Sequence, residues 1–238
     1  MTPHIGISRK QPADNPLIYC QPLFRQTEPP LTSAATASVS GPLLASLELS
    51  IRAEDRNTRG ATTLIRPAIG YQVSKKLTLW IGYVRVDTRP QGRSDVAENR
   101  YFQQASWNLG TMGPAAISAR TWLEQRTVEG ARDTGWRLRQ QIRVSLPLRK
   151  DGPAIVMSSE PFVGLNATDF GAVAGLDQWR NFMGVNVPAA RNLSVEVGYL
   201  NRYIRRPAAR DRIDHIIPVT LALRFRSCDS TLVALMHP

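Results

Sequence analysis

Residues 134–148 read TGWRLRQQIRVSLPL. Every second residue from Trp136 to Leu148 is apolar except Gln140. Between them stand Arg137, Arg139, Gln141, Arg143, Ser145 and Pro147. Successive side chains of a strand point to opposite faces, so this segment reads as a strand with one apolar face and one guanidinium-bearing face. The same alternation recurs in 47–54, 62–73, 77–87, 97–109, 115–128, 175–187, 192–204 and 212–225, with 154–166 ambiguous. That makes about ten strands, most of them about 11–14 residues long. Strands of globular domains run about 5–6 residues, whereas a tilted bilayer crossing takes about 9–11.

The connections carry a second signal. Short turns fall at 74–76, 110–114, 148–153 and 188–191, and longer, more charged loops at 55–61, 88–96, 129–133, 167–174 and 205–211. Short turns alternating with long loops are the outer-membrane pattern, the short ones on the periplasmic side. Ten strands would put both termini on that side. Three of the four lysines, Lys75, Lys76 and Lys150, fall in short turns. Trp136, Tyr83, Tyr199 and Tyr203 belong to apolar rows near strand ends, where barrels place aromatic girdles. The stretch GTMGPAA (110–116) reads as a hairpin turn, not a nucleotide cradle.

These readings give an all-β chain: a single antiparallel up-and-down transmembrane β-barrel of about ten strands over residues 43–225. Residues 1–42 are expected to be irregular and 226–238 to form an extension, both outside the barrel. SAATASVSG (33–41) has the small-residue look of a cleavage region.

The net charge of +11 and pI near 10.4 invite an anionic partner. No helix-turn-helix, zinc-finger or basic-helix pattern accompanies the charge, so nucleic acid is not expected. The bases are mostly arginine, the residue suited to fixed bidentate pairing. ENRYFQQ (98–104), RTWLEQR (120–126), RLRQQIR (137–143), LDQWR (176–180) and VEVGY (195–199) place charges two or four apart, on one face of each strand. The expected assembly is an ion network lining a polar lumen: Glu98, Arg100, Arg120, Glu124, Arg126, Arg137, Arg139, Arg143, Glu160, Arg180 and Glu196. Its first role is to hold the barrel shut, and a sharper role is passage of a small anion.

The clusters also resemble an uncharacterised family of Gram-negative outer-membrane β-barrels, a domain of unknown function. The resemblance covers residues 43–225. It rests on Glu98-Asn99-Arg100, Arg120 with Leu123-Glu124-Gln125-Arg126, Arg137-Leu138-Arg139, Glu160-Pro161-Phe162, Gly198-Tyr199 and Asp214-His215. It implies an outer-membrane location and supplies no catalytic residues. Such barrels finish on an aromatic, a position that suits Phe225.

No cofactor or metal is expected. Cys20 and Cys228 are isolated, and His4, His215 and His237 are scattered. The expected partner is outer-membrane lipid. Arg89, Arg93, Arg205, Arg206, Arg210 and Arg212 would lie in loops within reach of lipopolysaccharide phosphates. Two alternatives stand beside this reading. A soluble lipocalin-like barrel would turn its apolar rows inward around a ligand. An outer-membrane hydrolase would need a base, and Asp214-His215 is the acid–histidine pair of the barrel region; adjacent strand residues face opposite ways, which makes a poor dyad.

Overall fold

The computed structural model describes residues 24–26, 31–55, 58–89, 94–207 and 210–225. Its strands are β1 (Phe24–Gln26), β2 (Leu31–Ser40), β3 (Leu43–Asp55), β4 (Thr58–Ser74), β5 (Leu77–Arg89), β6 (Val96–Met112), β7 (Ala115–Val128), β8 (Gly135–Pro147), β9 (Ala154–Gly164), β10 (Gly175–Ala190), β11 (Leu193–Ile204), β12 (Arg212–Ile216) and β13 (Val219–Phe225). From β2 to β11 each strand pairs antiparallel with the next. β12 and β13 are two pieces of one final strand, parted at Ile217–Pro218, and both pair with β11. β13 then pairs with β2 and closes the wall. The result is a closed barrel of 11 strands, close to the ten expected.

The odd strand corrects the expectation that residues 1–42 lie outside as far as the described residues go; residues 1–23 and 27–30 are not among them. β2 pairs along its length with β3 and with β13, so the barrel begins at Leu31 rather than residue 43. Farther upstream, β1 extends the same seam against β12. Between Leu31 and Val39, LTSAATASVS holds only Ala, Ser and Thr, which resemble a cleavage region and leave little alternation to see. Inserting one strand also changes the ends. β2 enters at the long-loop end and β13 leaves at the short-turn end, so the termini of the wall do not share a side. The β2–β13 ladder is parallel, as an odd count requires. The expected extension 226–238 lies outside the described residues.

Two-residue turns join β2 to β3, β4 to β5, β6 to β7 and β10 to β11, and a longer one joins β8 to β9. Gly41 and Gly113 supply positive φ, +52° and +57°, at the first position of two of them. At the other end the longest connection is 165–174. It folds over the β7–β8 loop: Asp169 accepts from the amides of Arg132 and Asp133, and Asp133 accepts from the Asp169 amide at 2.7 Å. Asn166 accepts from the Trp136 amide at 2.7 Å. Phe170 of this loop comes against Gly135, where a Cβ would meet its ring at 2.9 Å.

The two faces of the wall differ as the alternation predicts. Outside, Leu49, Ile69, Ile81, Leu138, Ile142, Met183, Val197 and Ile217 stand exposed. The ten residue steps from Trp136 to Leu146, at about 3.3 Å each and a tilt near 40°, make a band roughly 25 Å tall. Inside, the side nearest β4–β7 is apolar: Leu64, Val84, Val86, Phe102 and Trp122 pack together with Trp80. Strand glycines make room for the rings. A Cβ on Gly70 would lie 2.6 Å from Trp80, and one on Gly198 2.8 Å from Phe182.

Candidate functional site: an ion-filled interior

A barrel interior is a poor place for an isolated charge. Each ion there loses most of its hydration, a cost of several kcal/mol, and attraction offsets it only in good geometry. Here the geometry is mostly guanidinium forks on carboxylates. Glu124 on β7 is 1% exposed. Its Oε2 accepts from Arg137 Nε and Nη2 at 2.9 and 2.6 Å, and its Oε1 from Arg139 Nη1 at 2.8 Å. Both arginines come from β8, the neighbouring strand, where Arg137 stands opposite Glu124 and Arg139 opposite Trp122, the next inward position.

From there the network spreads both ways. Arg139 Nη2 and Arg120 Nη2 converge on Glu160 Oε1 at 2.8 and 2.9 Å. Arg137 Nη1 reaches Asp177 at 3.1 Å. Toward the loop end, Glu98 takes Arg100 at 2.8 Å and Arg126 at 2.5 Å. Toward the turn end, Arg143 forks onto Glu196 across the lumen, from β8 to β11. Arg180 on β10 lies over the Phe162 ring, 4.6 Å from its centroid. All eleven residues singled out from the sequence therefore sit on inward rows. Ten of them pair with one another as ions, and Arg180 also lies on the Phe162 ring beside them.

Sequence reasoning missed several members. Glu48 pairs with Arg66 at 2.7 Å, and Asp214 with Arg202 at 2.5 Å and Arg212 at 3.2 Å. The signal was present, since each occupies the polar face of its own alternation; Arg212 and Asp214 were read as a loop arginine and as half of an acid–histidine pair instead of as partners of each other. The two aromatic plates were missed altogether. Trp122, 2% exposed, has the guanidinium carbons of Arg66, Arg120 and Arg139 at 4.8, 5.3 and 4.6 Å from its ring. Phe162, 1% exposed, has Arg137, Arg139 and Arg180 at 5.2, 4.3 and 4.6 Å. Stacking on a π-face holds a guanidinium plane while its edge bonds carboxylates, and contributes about 0.5–2 kcal/mol per contact.

Two features bound the interior. At the loop end Phe170 lies beneath the 165–174 loop with Arg126 over its ring at 5.9 Å. On the turn side of Glu160 lies a cavity of about 180 Å³, lined by Arg143, Ser158, Arg180, Phe182, Glu196 and Thr220 among others.

The acid–histidine pair divides as strand geometry requires. Asp214 is fully buried on Arg202, while the His215 ring faces outward and bonds Tyr199 through Nδ1. Of the loop arginines, Arg206 is tied to Asp211 and to the Arg210 carbonyl. Arg212 opens β12 and pairs with Asp214 instead of standing in a loop. Arg93 lies outside the described residues. Among the described residues no group of histidine, cysteine and carboxylates is placed to hold a metal.

A family described as protein of unknown function (DUF2490) matches residues 31–214, starting at the first residue of β2. An uncharacterized protein of Methylorubrum extorquens (strain AM1) is 38% identical over 164 residues, covering 68% of this chain and 72% of that protein.

Proposed function

The chain belongs to the DUF2490 family of proteins of unknown function, and on that premise we propose that it is an outer-membrane β-barrel of a Gram-negative envelope. The observation that carries this is the sidedness of the wall. An exposed apolar band encloses a buried ionic interior, the reverse of a water-soluble barrel that turns its apolar rows onto a ligand. Isoleucines at 81 and 142, 62% and 52% exposed, cost free energy in water and none in lipid.

The interior gives the barrel a structural role as a closed wall element, with passage limited to small solutes. Trp122, Phe162 and the Glu124–Glu160 ion cluster occupy the middle, and side-chain filling is normal for narrow barrels. The exposed arginines at the long-loop end, Arg89, Arg205 and Arg210, would be the ones to meet lipopolysaccharide phosphates. Expression behind a secretory signal in a Gram-negative host tests the location. The protein should fractionate with outer membranes, need detergent for extraction and migrate faster on gels unheated than boiled. Recovery as a folded, monodisperse protein without detergent would overturn the reading. Planar-bilayer recording tests passage, and silence across salts would leave the structural role alone.

A further inference from the structure

The outer band is not apolar all the way round. Gln140 stands on it between Leu138 and Ile142 of β8, four residues after Trp136 and six before Leu146. Neighbouring strands carry more neutral polar side chains on the same face. Thr121 of β7 is opposite Gln140 and donates to its Oε1 at 2.7 Å. Ser159 of β9 is opposite Ile142, and Asn181 of β10 is opposite Ser159. Trp179 Nε1 donates to Ser159 Oγ at 2.9 Å, and Ser159 Oγ to Asn181 Oδ1 at 2.8 Å. Gln103 of β6, exposed, begins the row one outward position from Thr121. The sequence neighbours Phe102, Trp122, Arg139 and Glu160 are buried inside, so alternation turns Gln103, Thr121, Gln140 and Ser159 outward.

The row keeps nearly one depth. Ladder rows climb across the tilted wall: the one that passes Gly70, near the turn end of β4, reaches Gln178, near the loop end of β10. The polar row drops back by one outward position twice, from Gln103 to Thr121 and from Gln140 to Ser159, which offsets the climb. Five adjacent strands therefore present polar side chains at the middle of the band.

Their hydrogen bonds within the wall are incomplete. Among the described residues the side chain of Gln103 makes none, and the amide nitrogens of Gln140 and Asn181 donate to nothing. Lipid tails neither donate nor accept, and an unpaired amide at that depth is costly. The partner follows from the chemistry. A carboxamide carries both donor and acceptor, so a row of them complements a second copy of itself across a two-fold axis. The row holds no charged side chain, so two copies meet without repulsion. Barrels inserted the same way are related by an axis along the membrane normal, which brings equal depths together. A row at one depth satisfies that condition.

We propose that this face of the wall, β6 to β10, is the contact between two copies of the chain, joined by amide hydrogen bonds at the level of Gln140. The inference rests on the membrane reading, because water would satisfy the same amides in a soluble barrel.

Disulfide trapping in lipid vesicles tests it, with Cys20 and Cys228 first changed to Ser. Gln140→Cys, near the axis, should give a covalent dimer on oxidation. Leu49→Cys, exposed on β3 across the barrel, should not. Sedimentation in density-matched micelles should show a wild-type dimer. Gln140→Leu with Asn181→Leu suits lipid and should weaken it about tenfold or more, the loss of several membrane hydrogen bonds. Unheated gel mobility checks that every variant is folded, and the wild-type mass carries the test if one is not. A folded, detergent-requiring wild-type monomer would overturn the dimer and leave the membrane reading standing. So would equal trapping at Gln140→Cys and Leu49→Cys, or a leucine variant that dimerises as tightly as wild type. A folded protein that needs no detergent would overturn both.

Discussion

Replacing Glu124 with Gln removes one charge from the middle of the network and changes little else in shape. The side chain is 1% exposed, and its two arginines are 10% and 7% exposed. Breaking a buried pair from one side costs about 3–5 kcal/mol, because the remaining charge stays buried. Two features reduce that here. Arg137 keeps Asp177 and Arg139 keeps Glu160, and the amide oxygen of Gln still accepts one bond. About 2–4 kcal/mol remains. Glu196→Gln is the comparison. It also removes a carboxylate from the lumen, but its partner Arg143 is 33% exposed at the cavity, so the expected loss is about 1 kcal/mol or less. With a urea slope of about 2–3 kcal/mol per molar, the Glu124 variant should unfold roughly 1 M earlier than wild type and the Glu196 variant a few tenths earlier. Tryptophan fluorescence in detergent micelles reads both midpoints. Equal shifts in the two variants would refute the reasoning, since burial would then not govern the strength of these pairs.

Three further outcomes follow from the same physics. Ile142→Arg, on the exposed outer band, should cost about 2–4 kcal/mol in a lipid bilayer and almost nothing in water, so urea midpoints measured in lipid vesicles separate the two environments. Gly82→Ala puts a methyl into the Phe102 ring and 2.7 Å from the Pro67 carbonyl, and should cost about 1–3 kcal/mol of stability, read as a lower urea midpoint; a wild-type midpoint would show that Phe102 moves freely. In the β11–β12 loop, the Tyr203 hydroxyl and the Arg206 amide bonded to Asp211 hold its carboxyl below its ordinary range. A depressed carboxylate contributes above its unfolded pKa and is lost as pH falls through the folded one. The protection of the Arg206 amide, its exchange rate relative to the intrinsic rate at each pH, should therefore hold at pH 5 and fall as pH drops below the ordinary aspartate range, and Asp211→Asn should remove that step.

How much of this was legible depends on how local the cause is. Strand alternation is a property of a few consecutive residues, so β3 to β8, β10, β11 and the inward rows of arginine could be read directly, and β9 was left ambiguous. Pairing between neighbouring strands, as in Arg137 with Glu124, follows from that pattern plus hairpin order. What crosses the lumen does not. Arg143 meets Glu196 from three strands away, and which level faces which is set by the stagger of the closed wall. Trp122 and Phe162 were hidden for the same reason, because a ring between charges in RTWLEQR or SSEPFVG looks like any inward residue until other strands bring guanidinium groups over it. β2 was missed because Ala, Ser and Thr give little contrast between faces. That single omission changed the strand count, the closure and the placement of the ends.

The seam between β2 and β13 has a consequence for the order of assembly. Apart from its β1–β12 extension, every other ladder joins neighbours in the chain, so each can form as soon as its two strands exist and encloses only a short loop. The seam pairs Leu31 with Val219, and closing it means bringing together segments separated by nearly the whole wall. Its entropic cost comes first and its hydrogen bonds come last. The chain should thus pass through a long curled ribbon with two unpaired edges. It becomes a barrel in one late step, and the same seam is where breathing and unfolding should begin. Hydrogen exchange should find the amides of β2 and β13 least protected of all the strands, however well buried their neighbours are.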